Sequence, residues 1–262
     1  MDPARRTAAS GMRAQQTRTD VIANNLANVN TTGFKGSRAH FEDLLYQTVQ
    51  GSAVVGQQDA QSTAAIQVGR GTRLSAVQRL QSQGALEETT RPLDVAIEGE
   101  GFFQVQTPNG DVAYTRDGSF EISDQRVLTT QEGYTLVPGI KIPEDATAIT
   151  ISRTGTVSCT RGSSSEQSEL GRIELARFAN PAGLMAQGEN VFTATPASGD
   201  PVLGFPQDDG MGRLAQGHLE GSNVEIVQEM VDMITAMRAY EINSKAIKNS
   251  ESMLEIANNL VR

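Results

Sequence analysis

The sequence contains no tryptophan and a single cysteine, and aromatic residues make up only 5% of its 262 positions. A lone cysteine, Cys159, excludes a disulfide within the chain. The neighbours of Cys159 have a strand-like pattern, which predicts a buried, unreactive thiol. Because large aromatic residues are scarce and apolar residues reach only 38%, we expect a moderate core that does not extend along the whole chain.

Long apolar runs and clusters of basic residues are also missing. No run approaches the roughly 20 apolar residues that a membrane-spanning helix needs. Arg5 and Arg6 are not followed by an apolar stretch, so we do not expect a cleaved secretory signal. The net charge is −9, which argues against a nucleic-acid partner. Composition alone would therefore predict a cytoplasmic protein.

No motif in the sequence points to catalysis. His40 and His218 lie apart, with no cysteine or acidic cluster at metal-ligand spacing. The segment Gly99-Glu100-Gly101 predicts a tight turn, because it lacks the later glycine of a dinucleotide-binding loop. Asp94 and Glu98 are interpreted as carboxylates on a solvated strand face rather than as an acid pair. The sequence thus predicts no enzyme activity, cofactor, metal or small-molecule substrate.

The first part of the chain has a helical pattern. Residues 7–29 contain one glycine and no proline, and we expect the helix to start at about residues 4–7. The helix should stop at residues 28–33, with Gly33 in the left-handed conformation. Large apolar residues recur about every three to four positions along it, namely Met12, Ile22, Leu26 and Val29.

The last part of the chain, residues 223–262, contains neither glycine nor proline. It predicts a second helix capped by Ser222 or Asn223. Two heptad series of large residues mark an amphipathic surface on it. The longer series consists of Ile226, Met233, Tyr240, Ile247, Leu254 and Val261. A partial series consists of Met230 and Met237.

Between the two ends, short alternating runs and turn dipeptides predict β-strands. The predicted fold class is α+β, with an all-β central domain and N- and C-terminal helices that pair as a coiled coil in an assembly. We expect the helical domain at residues 1–34 and 223–262, and the β-rich domain at 80–222. Residues 35–79 are expected to form an extended connector, of which 47–73 has few large apolar residues.

Amphipathic terminal helices need a partner for their apolar faces. They could pair within one monomer, but the C-terminal series is longer than the N-terminal one, so apolar surface should remain for other copies. Asn24, Asn25 and Asn28 are poor residues for a helix interior. They could contact neighbouring chains or line a wet channel, or simply mark a frayed helix end. The sequence predicts a self-assembling protein.

Two sets of segments carry a resemblance to known proteins. The first set, near the N-terminus, consists of Ser10-Gly11-Met12, Ile22-Ala23-Asn24-Asn25-Leu26-Ala27-Asn28 and Thr32-Gly33-Phe34-Lys35. The second, near the C-terminus, is Arg238-Ala239-Tyr240-Glu241-Ile242-Asn243-Ser244-Lys245. They resemble the N-terminal and C-terminal signatures of one family, the flagellar rod and hook proteins. A third set of segments favours a rod member, namely 41–48, 94–97, 101–105 and 114–120. Residues 1–6 depart from the family, which tends to begin with apolar helical residues.

The resemblance implies a structural subunit that polymerises into a tube across the periplasm after export by the flagellar type III apparatus. The implied partners are copies of itself, other rod subunits, hook subunits, the surrounding ring proteins and the export apparatus. The implied location replaces the cytoplasmic one. Helices would form the inner tube, the β domain the outer layer, and residues 47–73 would lie between neighbouring subunits.

Three alternatives remain at this level. A proximal rod or hook subunit belongs to the same family, and a hook subunit should add an outer domain. A secreted adhesin with a coiled-coil stalk should carry an anchor or a cleaved signal. A peptidoglycan hydrolase should carry an acid pair in a cleft.

Overall fold

The computed structural model describes residues 3–50, 53–55, 61–63, 65–161, 167–208 and 210–260. The chain divides into two compact units. The first, here called the helical unit, is drawn from Met1–Leu26, Ser37–Gln78 and Glu225–Arg262. The second, here called the β unit, is drawn from Ala27–Gly36 and Arg79–Val224. A mostly β chain with a helix near each end confirms the predicted α+β class.

Two long helices lie in the helical unit, α1 (Pro3–Ala27) and α2 (Ile226–Leu260). Proline is accepted in the first turn of a helix because its missing N–H needs no partner there, so α1 can begin at Pro3. After α1 the chain turns, and Gly33 has a φ of +66°, which confirms the predicted left-handed conformation. Within the described residues, neither helix carries an apolar stretch long enough to cross a membrane.

The predicted N-cap of the second helix is wrong. The Ser222 hydroxyl accepts a hydrogen bond from the Val224 N–H at 3.3 Å. The Asn223 carboxamide accepts from the Gly36 N–H at 2.8 Å and donates to the Leu80 carbonyl at 2.9 Å. Both polar side chains are therefore used before the helix begins, and α2 starts at Ile226.

The strands of the helical unit lie between the two helices in sequence. They are β1 (Ser37–Asp43), β2 (Gln47–Gln50), β3 (Ala53–Val55), β4 (Gln61–Thr63), β5 (Ile66–Val68) and β6 (Thr72–Arg79). β1 pairs with β6, β2 with β5 and β3 with β4, so successive pairs are nested along the chain. This arrangement is a long ribbon two strands wide.

The strands of the β unit are short and follow one another closely. They are β7 (Leu86–Glu88), β8 (Val95–Glu98), β9 (Phe102–Gln106), β10 (Val112–Thr115), β11 (Phe120–Ile122), β12 (Leu128–Thr130), β13 (Thr135–Leu136), β14 (Ala146–Ile151), β15 (Thr156–Arg161), β16 (Gln167–Arg172), β17 (Leu175–Arg177), β18 (Met185–Gly188), β19 (Val191–Thr193), β20 (Val202–Gly204), β21 (Arg213–Gln216) and β22 (His218–Glu220). A short 3₁₀ helix, Pro181–Gly183, precedes β18.

The largest sheet in the described residues is built around β9. Its strand order is β11-β12-β13-β9-β10-β19-β18, and β17 also pairs with β9 and with β20. Strands β14, β15 and β16 form a three-stranded antiparallel sheet. The pairs β8 with β21 and β7 with β22 bring residues from the two ends of the β unit together.

Both faces of β9 are buried. Phe103 and Val105 belong to the main apolar cluster, whereas Phe102 belongs to a second cluster with Tyr114 and Phe178. Successive side chains of a strand point to opposite faces, so one strand serves two clusters. The rings of Phe103 and Phe120 meet edge to face at 5.1 Å. The core therefore lies within the β unit.

The segment expected to be an extended connector, residues 35–79, contains the six strands of the ribbon. Part of it, 37–78, groups with the helices in the helical unit. Residues 51–52, 56–60 and 64 of the connector lie outside the described residues. The assignment of inner-tube, connector and outer regions concerns the assembly, and it stays a prediction.

We expect Phe103→Ala to destabilise the β unit by about 3–5 kcal/mol, because it removes a fully buried ring from the core. The matched control is Val112→Ala in the neighbouring strand β10, where the side chain is 42% exposed. The control should change stability by no more than about 0.5 kcal/mol. Urea unfolding followed by circular dichroism measures both, and equal losses would contradict this description of the core.

Candidate assembly interface

The two helices of the helical unit contact each other in antiparallel order. Arg5 pairs with Glu251 near one end. The amide of Asn243 lies directly over Gly11. Arg18 contacts Asp232 at 2.6 Å, and Asn25 contacts Glu229 at 3.0 Å. Because positions rise along α1 as they fall along α2, the contact follows most of the length of α1.

The surface of α2 that faces α1 is made of small and polar residues. Its members recur every seven positions, namely Glu229, Ala236, Asn243 and Ser250. We call this set the inner series. Ala236 and Ser250 are buried, and Glu229 and Asn243 are half-buried. Sequence reasoning missed this series because it searched for large apolar residues, although the seven-residue spacing was there to be read.

Gly11 allows a close approach between the helices. A Cβ atom placed there would lie 3.1 Å from both the nitrogen and the oxygen of the Asn243 carboxamide. The carboxamide itself donates to the Ala239 carbonyl of its own helix at 2.9 Å. A side chain at position 11 would therefore have to displace Asn243 or separate the helices.

Asn25 is buried and its carboxamide is used within the chain. Its nitrogen donates to the Ser37 carbonyl at 2.8 Å and to Glu229, and its oxygen accepts from the Ser37 N–H at 2.8 Å. These bonds join the last turn of α1 to the first residue of β1 and to α2. Contact with a neighbouring chain was predicted for Asn25, and it stays a prediction. Both N–H donors of this carboxamide already have partners within the chain.

Large apolar side chains are exposed on another side of α2. They lie in its first three to four turns and are Ile226, Val227, Met230, Val231, Ile234 and Met237. We call this set the outer stripe. At about 100° per residue, the stripe is centred on the face opposite the inner series. Val227 is 77% exposed, and all six are at least 47% exposed. The helix thus covers its small residues and exposes its large ones.

The predicted interface residues divide among these surfaces. Five of the predicted residues of α2 are exposed. Ile226, Met230 and Met237 lie in the outer stripe, whereas Tyr240 and Leu254 lie outside both the outer stripe and the inner series. Met233 and Ile247 are half-buried beside the inner series. In α1, Ile22 is buried, Met12 and Leu26 are half-buried and Asn24 is exposed. Asn28 is half-buried, just after α1. Val261 lies outside the described residues.

The heptad reading predicted one apolar surface through Ile226, Met233 and Tyr240. These residues differ in burial, because Met233 is half-buried while Ile226 and Tyr240 are exposed. The outer stripe also includes Val227, Val231 and Ile234, which the heptad series omitted. A series of one residue in seven cannot include them, whereas placing every large residue at about 100° per residue would have found them.

The residues considered for chemistry lie apart. Cys159 is buried in β15, which confirms the predicted burial of the thiol. His40 is exposed in β1, and the Nδ1 atom of His218 lies 3.0 Å from the Gln216 carbonyl oxygen. Among the residues that the structure describes, no three histidine, cysteine or acidic side chains are grouped as a metal site requires.

The two carboxylates that were interpreted as part of a solvated strand face have different environments. Asp94 is buried rather than on a solvated face, so that part of the interpretation is wrong. The Glu98 carboxylate accepts two hydrogen bonds from the Arg213 guanidinium, each 2.6 Å long. These bonds lower the pKa of Glu98 below its ordinary value. A carboxylate held ionised in this way is a poor general acid.

Three family profiles match the chain. "Flagella basal body rod protein" matches residues 6–35, "Flagellar hook protein FlgE/F/G D1 domain" matches 96–159, and "Flagellar basal body rod FlgEFG protein C-terminal" matches 215–260. The first and last profiles cover most of α1 and α2, and the middle one covers the centre of the β unit. Relatives named flagellar basal-body rod protein FlgG match along nearly the whole chain.

The FlgG protein of Borreliella burgdorferi is 54% identical over 98% of this chain and 97% of its own length. The chain belongs to the FlgG family of flagellar basal-body rod proteins. The FlgG proteins of Agrobacterium fabrum and Bacillus subtilis are 48% and 39% identical, over 95% and 97% of this chain and the same shares of their own lengths. As a member of the FlgG family, the chain is a structural subunit of the flagellar rod, in the basal body.

We expect the helix contact to depend on pH through Glu229. Burial raises the pKa of Glu229, the hydrogen bond from Asn25 lowers it, and the charge of Asp232 raises it; Arg38 and Arg18 oppose the rise. Because the folded-state pKa of Glu229 is raised, its contribution to the stability of the helix pair is present at low pH, where the carboxyl is protonated. That contribution is lost as the pH rises through the folded-state pKa. Glu229→Gln should therefore stabilise the helix pair at neutral pH.

The Glu229→Gln variant keeps a side-chain oxygen that can accept from Asn25, so the comparison isolates the charge. Thermal unfolding followed by the helical circular dichroism signal should show the gain near pH 7 and little gain near pH 4, around the ordinary carboxyl pKa. The control is Glu241→Gln at an exposed position of α2. A gain that is equal at both pH values would show that the charge is not the cause.

A side chain at position 11 should weaken the helix pair. Gly11→Val should cost about 1–3 kcal/mol, because its methyl groups would overlap the Asn243 carboxamide. Ala23→Val, at an exposed position of the same helix, tests the intrinsic cost of valine, which is a few tenths of a kcal/mol, about 0.5 at most. Hydrogen exchange of α1 amides reports the difference. Adding Asn243→Ala to Gly11→Val should restore part of the protection, and no restoration would contradict the predicted contact.

Proposed function

We propose that the chain is the distal rod subunit and that it polymerises through its helices into a rigid tube around the flagellar export channel. The observation that carries the proposal is the outer stripe. α2 contacts α1 through its small and polar face, and the large apolar side chains of the stripe remain about half exposed or more. A second copy can supply one, and a helix already paired on one side can then pair on another as in a coiled coil.

Energetic arguments favour burial of the outer stripe in a polymer. Covering a large apolar side chain is worth about 1.5–3 kcal/mol. Six such side chains lie within twelve residues, which is about 17 Å of helix at ~1.5 Å per residue. In a polymer the same contact recurs at every subunit, so a modest gain per contact stabilises the whole tube. Patches of exposed apolar residues of this kind mark protein interfaces.

The two-stranded ribbon supports a second contact between subunits. Large apolar side chains are exposed along it, among them Leu45, Tyr46, Val49, Ile66 and Val68. A ribbon two strands wide is marginally stable unless it lies against another surface. We propose that the ribbon lies between neighbouring subunits and stiffens the rod.

The remaining parts of the proposal follow from membership of the family. The tube would cross the periplasm, transmit torque to the hook and pass through the surrounding ring proteins, after export by the flagellar type III apparatus. Its partners would be other rod subunits at one end and hook subunits at the other. Nearly equal length to the FlgG relatives argues against a hook subunit, which should add an outer domain. An adhesin is disfavoured by the same relatives.

The outer stripe can be tested by a charge. Ile234→Asp should be exported and folded but should fail to polymerise, because a carboxylate in an apolar interface costs several kcal/mol, about 3 or more. The matched control is Ser252→Asp. Position 252 is five turns further along the same face of α2 and is exposed, and its i−4, i−3 and i+3 neighbours are the polar residues Lys248, Asn249 and Glu255.

Electron microscopy of the purified chain and motility of cells carrying each variant measure the outcome, with circular dichroism as the check on folding. Tubes from the wild type and from Ser252→Asp, but none from folded Ile234→Asp, would support the proposal. Tubes of equal yield from both variants would show that the outer stripe is not an assembly surface.

A further inference from the structure

Three charged side chains meet inside the β unit, away from the surfaces discussed above. The side chains of Lys35 and Glu220 are both 0% exposed, and their Nζ and Oε1 atoms are 2.5 Å apart. The guanidinium of Arg116, 6% exposed, donates to the other carboxylate oxygen of Glu220 at 3.3 Å. We call these three residues the charge cluster. Two cations share one anion, so the cluster carries a net positive charge.

Backbone groups complete the cluster. Lys35 Nζ also donates to the Ser82 carbonyl at 2.7 Å, and the Gly84 N–H donates to Glu220 Oε1 at 3.0 Å. The Arg116 guanidinium lies 5.1 Å from the centre of the Phe102 ring. Burial lowers the pKa of Lys35, and the carboxylate of Glu220 acts in the opposite direction. Lys35 and Glu220 are thus held by specific partners, whereas Nε of Arg116 is buried without a hydrogen-bond partner among the described residues.

The charge cluster lies where two segments of the chain meet. One segment, residues 31–36, follows the end of α1, and the other, residues 220–224, precedes the start of α2. We call them the crossing segments. The Gly33 N–H donates to the Glu220 carbonyl at 2.7 Å, and the Gly36 N–H donates to the Asn223 side chain. Each segment therefore carries a member of the cluster and a backbone contact to the other.

Gly33 brings the first crossing segment close to the turn that carries Arg116. A Cβ atom at position 33 would lie 2.8 Å from the Asp117 nitrogen and 2.9 Å from the Arg116 carbonyl carbon. Both Gly33 and Lys35 lie in the N-terminal signature, and Arg116 lies in one of the segments that favour a rod member. The polymer contacts proposed for α2 use none of these residues.

Stability alone is a weak reason to bury these charges. Desolvating three charged groups costs several kcal/mol each, about as much as their attraction returns, and apolar residues of similar size often serve as well. Buried charges do discriminate between registers. If one crossing segment shifted by one residue, about 3.3 Å, Lys35 would lose its carboxylate and remain buried without a partner.

We propose that Lys35, Arg116 and Glu220 are positioning residues, which fix the register of the two crossing segments. The segment that precedes α2 is thereby held directly beside the segment that follows α1. The expected effect on the yield of tubes rests on the proposed rod function, whereas the register of the crossing segments is a property of the single chain. The two can be tested separately.

The main test is a neutral cluster, made by Lys35→Met, Arg116→Met and Glu220→Gln together in the full chain. Glutamine keeps an oxygen for the Gly84 N–H, and no buried charge is left unpaired. The triple variant should therefore melt within a few degrees, about 5, of the wild type. Glu220→Gln alone should melt far lower, because it leaves two buried cations without their anion. Lys141→Met, at an exposed position, is the control.

The rates of amide hydrogen exchange then test whether the crossing segments keep their register. In the triple variant the amides of Gly33 and Gly36 should exchange about tenfold faster or more, while the amides of β9 keep wild-type protection. A merely structural role would change both sets together. In the assembly arm, the triple variant should give a severalfold lower yield of tubes than the wild type and the control.

Wild-type protection of Gly33 and Gly36 in a folded triple variant would overturn the proposal, as would a triple variant that unfolds as readily as Glu220→Gln alone. Faster exchange at these glycines with an undiminished yield of tubes would overturn the importance of the register for assembly. If the wild type itself forms no tubes, the proposed rod function fails, and the exchange comparison still decides whether the charge cluster sets the register.

Discussion

The contact between Gly11 and Asn243 constrains the rest of the helical unit. Gly11 lets the carboxamide of Asn243 lie against the backbone of α1. A helix pair joined in this way uses the small and polar side of α2, and the same helix cannot turn its large apolar residues to the same neighbour. The outer stripe is the consequence. A side chain that is exposed in one chain and apolar is available to another, which is what a subunit of a polymer needs.

The β unit is subject to a different constraint, which is the alignment of the crossing segments. Its core is complete within one chain, since β9 buries both of its faces against neighbouring strands. The β unit must also hold the two crossing segments, which follow α1 and precede α2 in the sequence. Hydrogen bonds between the crossing segments would tolerate more than one alignment, because every residue offers the same backbone groups. The buried charges remove that freedom, because only one alignment pairs them.

Much of this protein was determined by local sequence. A run with a single internal glycine produces α1, a run without glycine or proline produces α2, and turn residues separate the short strands. These effects act through the backbone of a few neighbouring residues. The stop at Gly33 and the burial of Cys159 were predictable on the same grounds. The family was also readable, since its signature segments lie at the two ends of the chain.

Only the tertiary structure decided which face of each helix meets which partner. The large residues of α2 suggested the contact surface, but Ala236, Asn243 and Glu229 form it, because Gly11 and Asn25 of α1 lie opposite them. Asn223 was predicted as a cap and is used instead by Gly36 and Leu80. Lys35, Arg116 and Glu220 are separated by up to 185 positions and carry no local pattern. Their common burial depends on strand pairing across the whole β unit, which no short window of sequence contains.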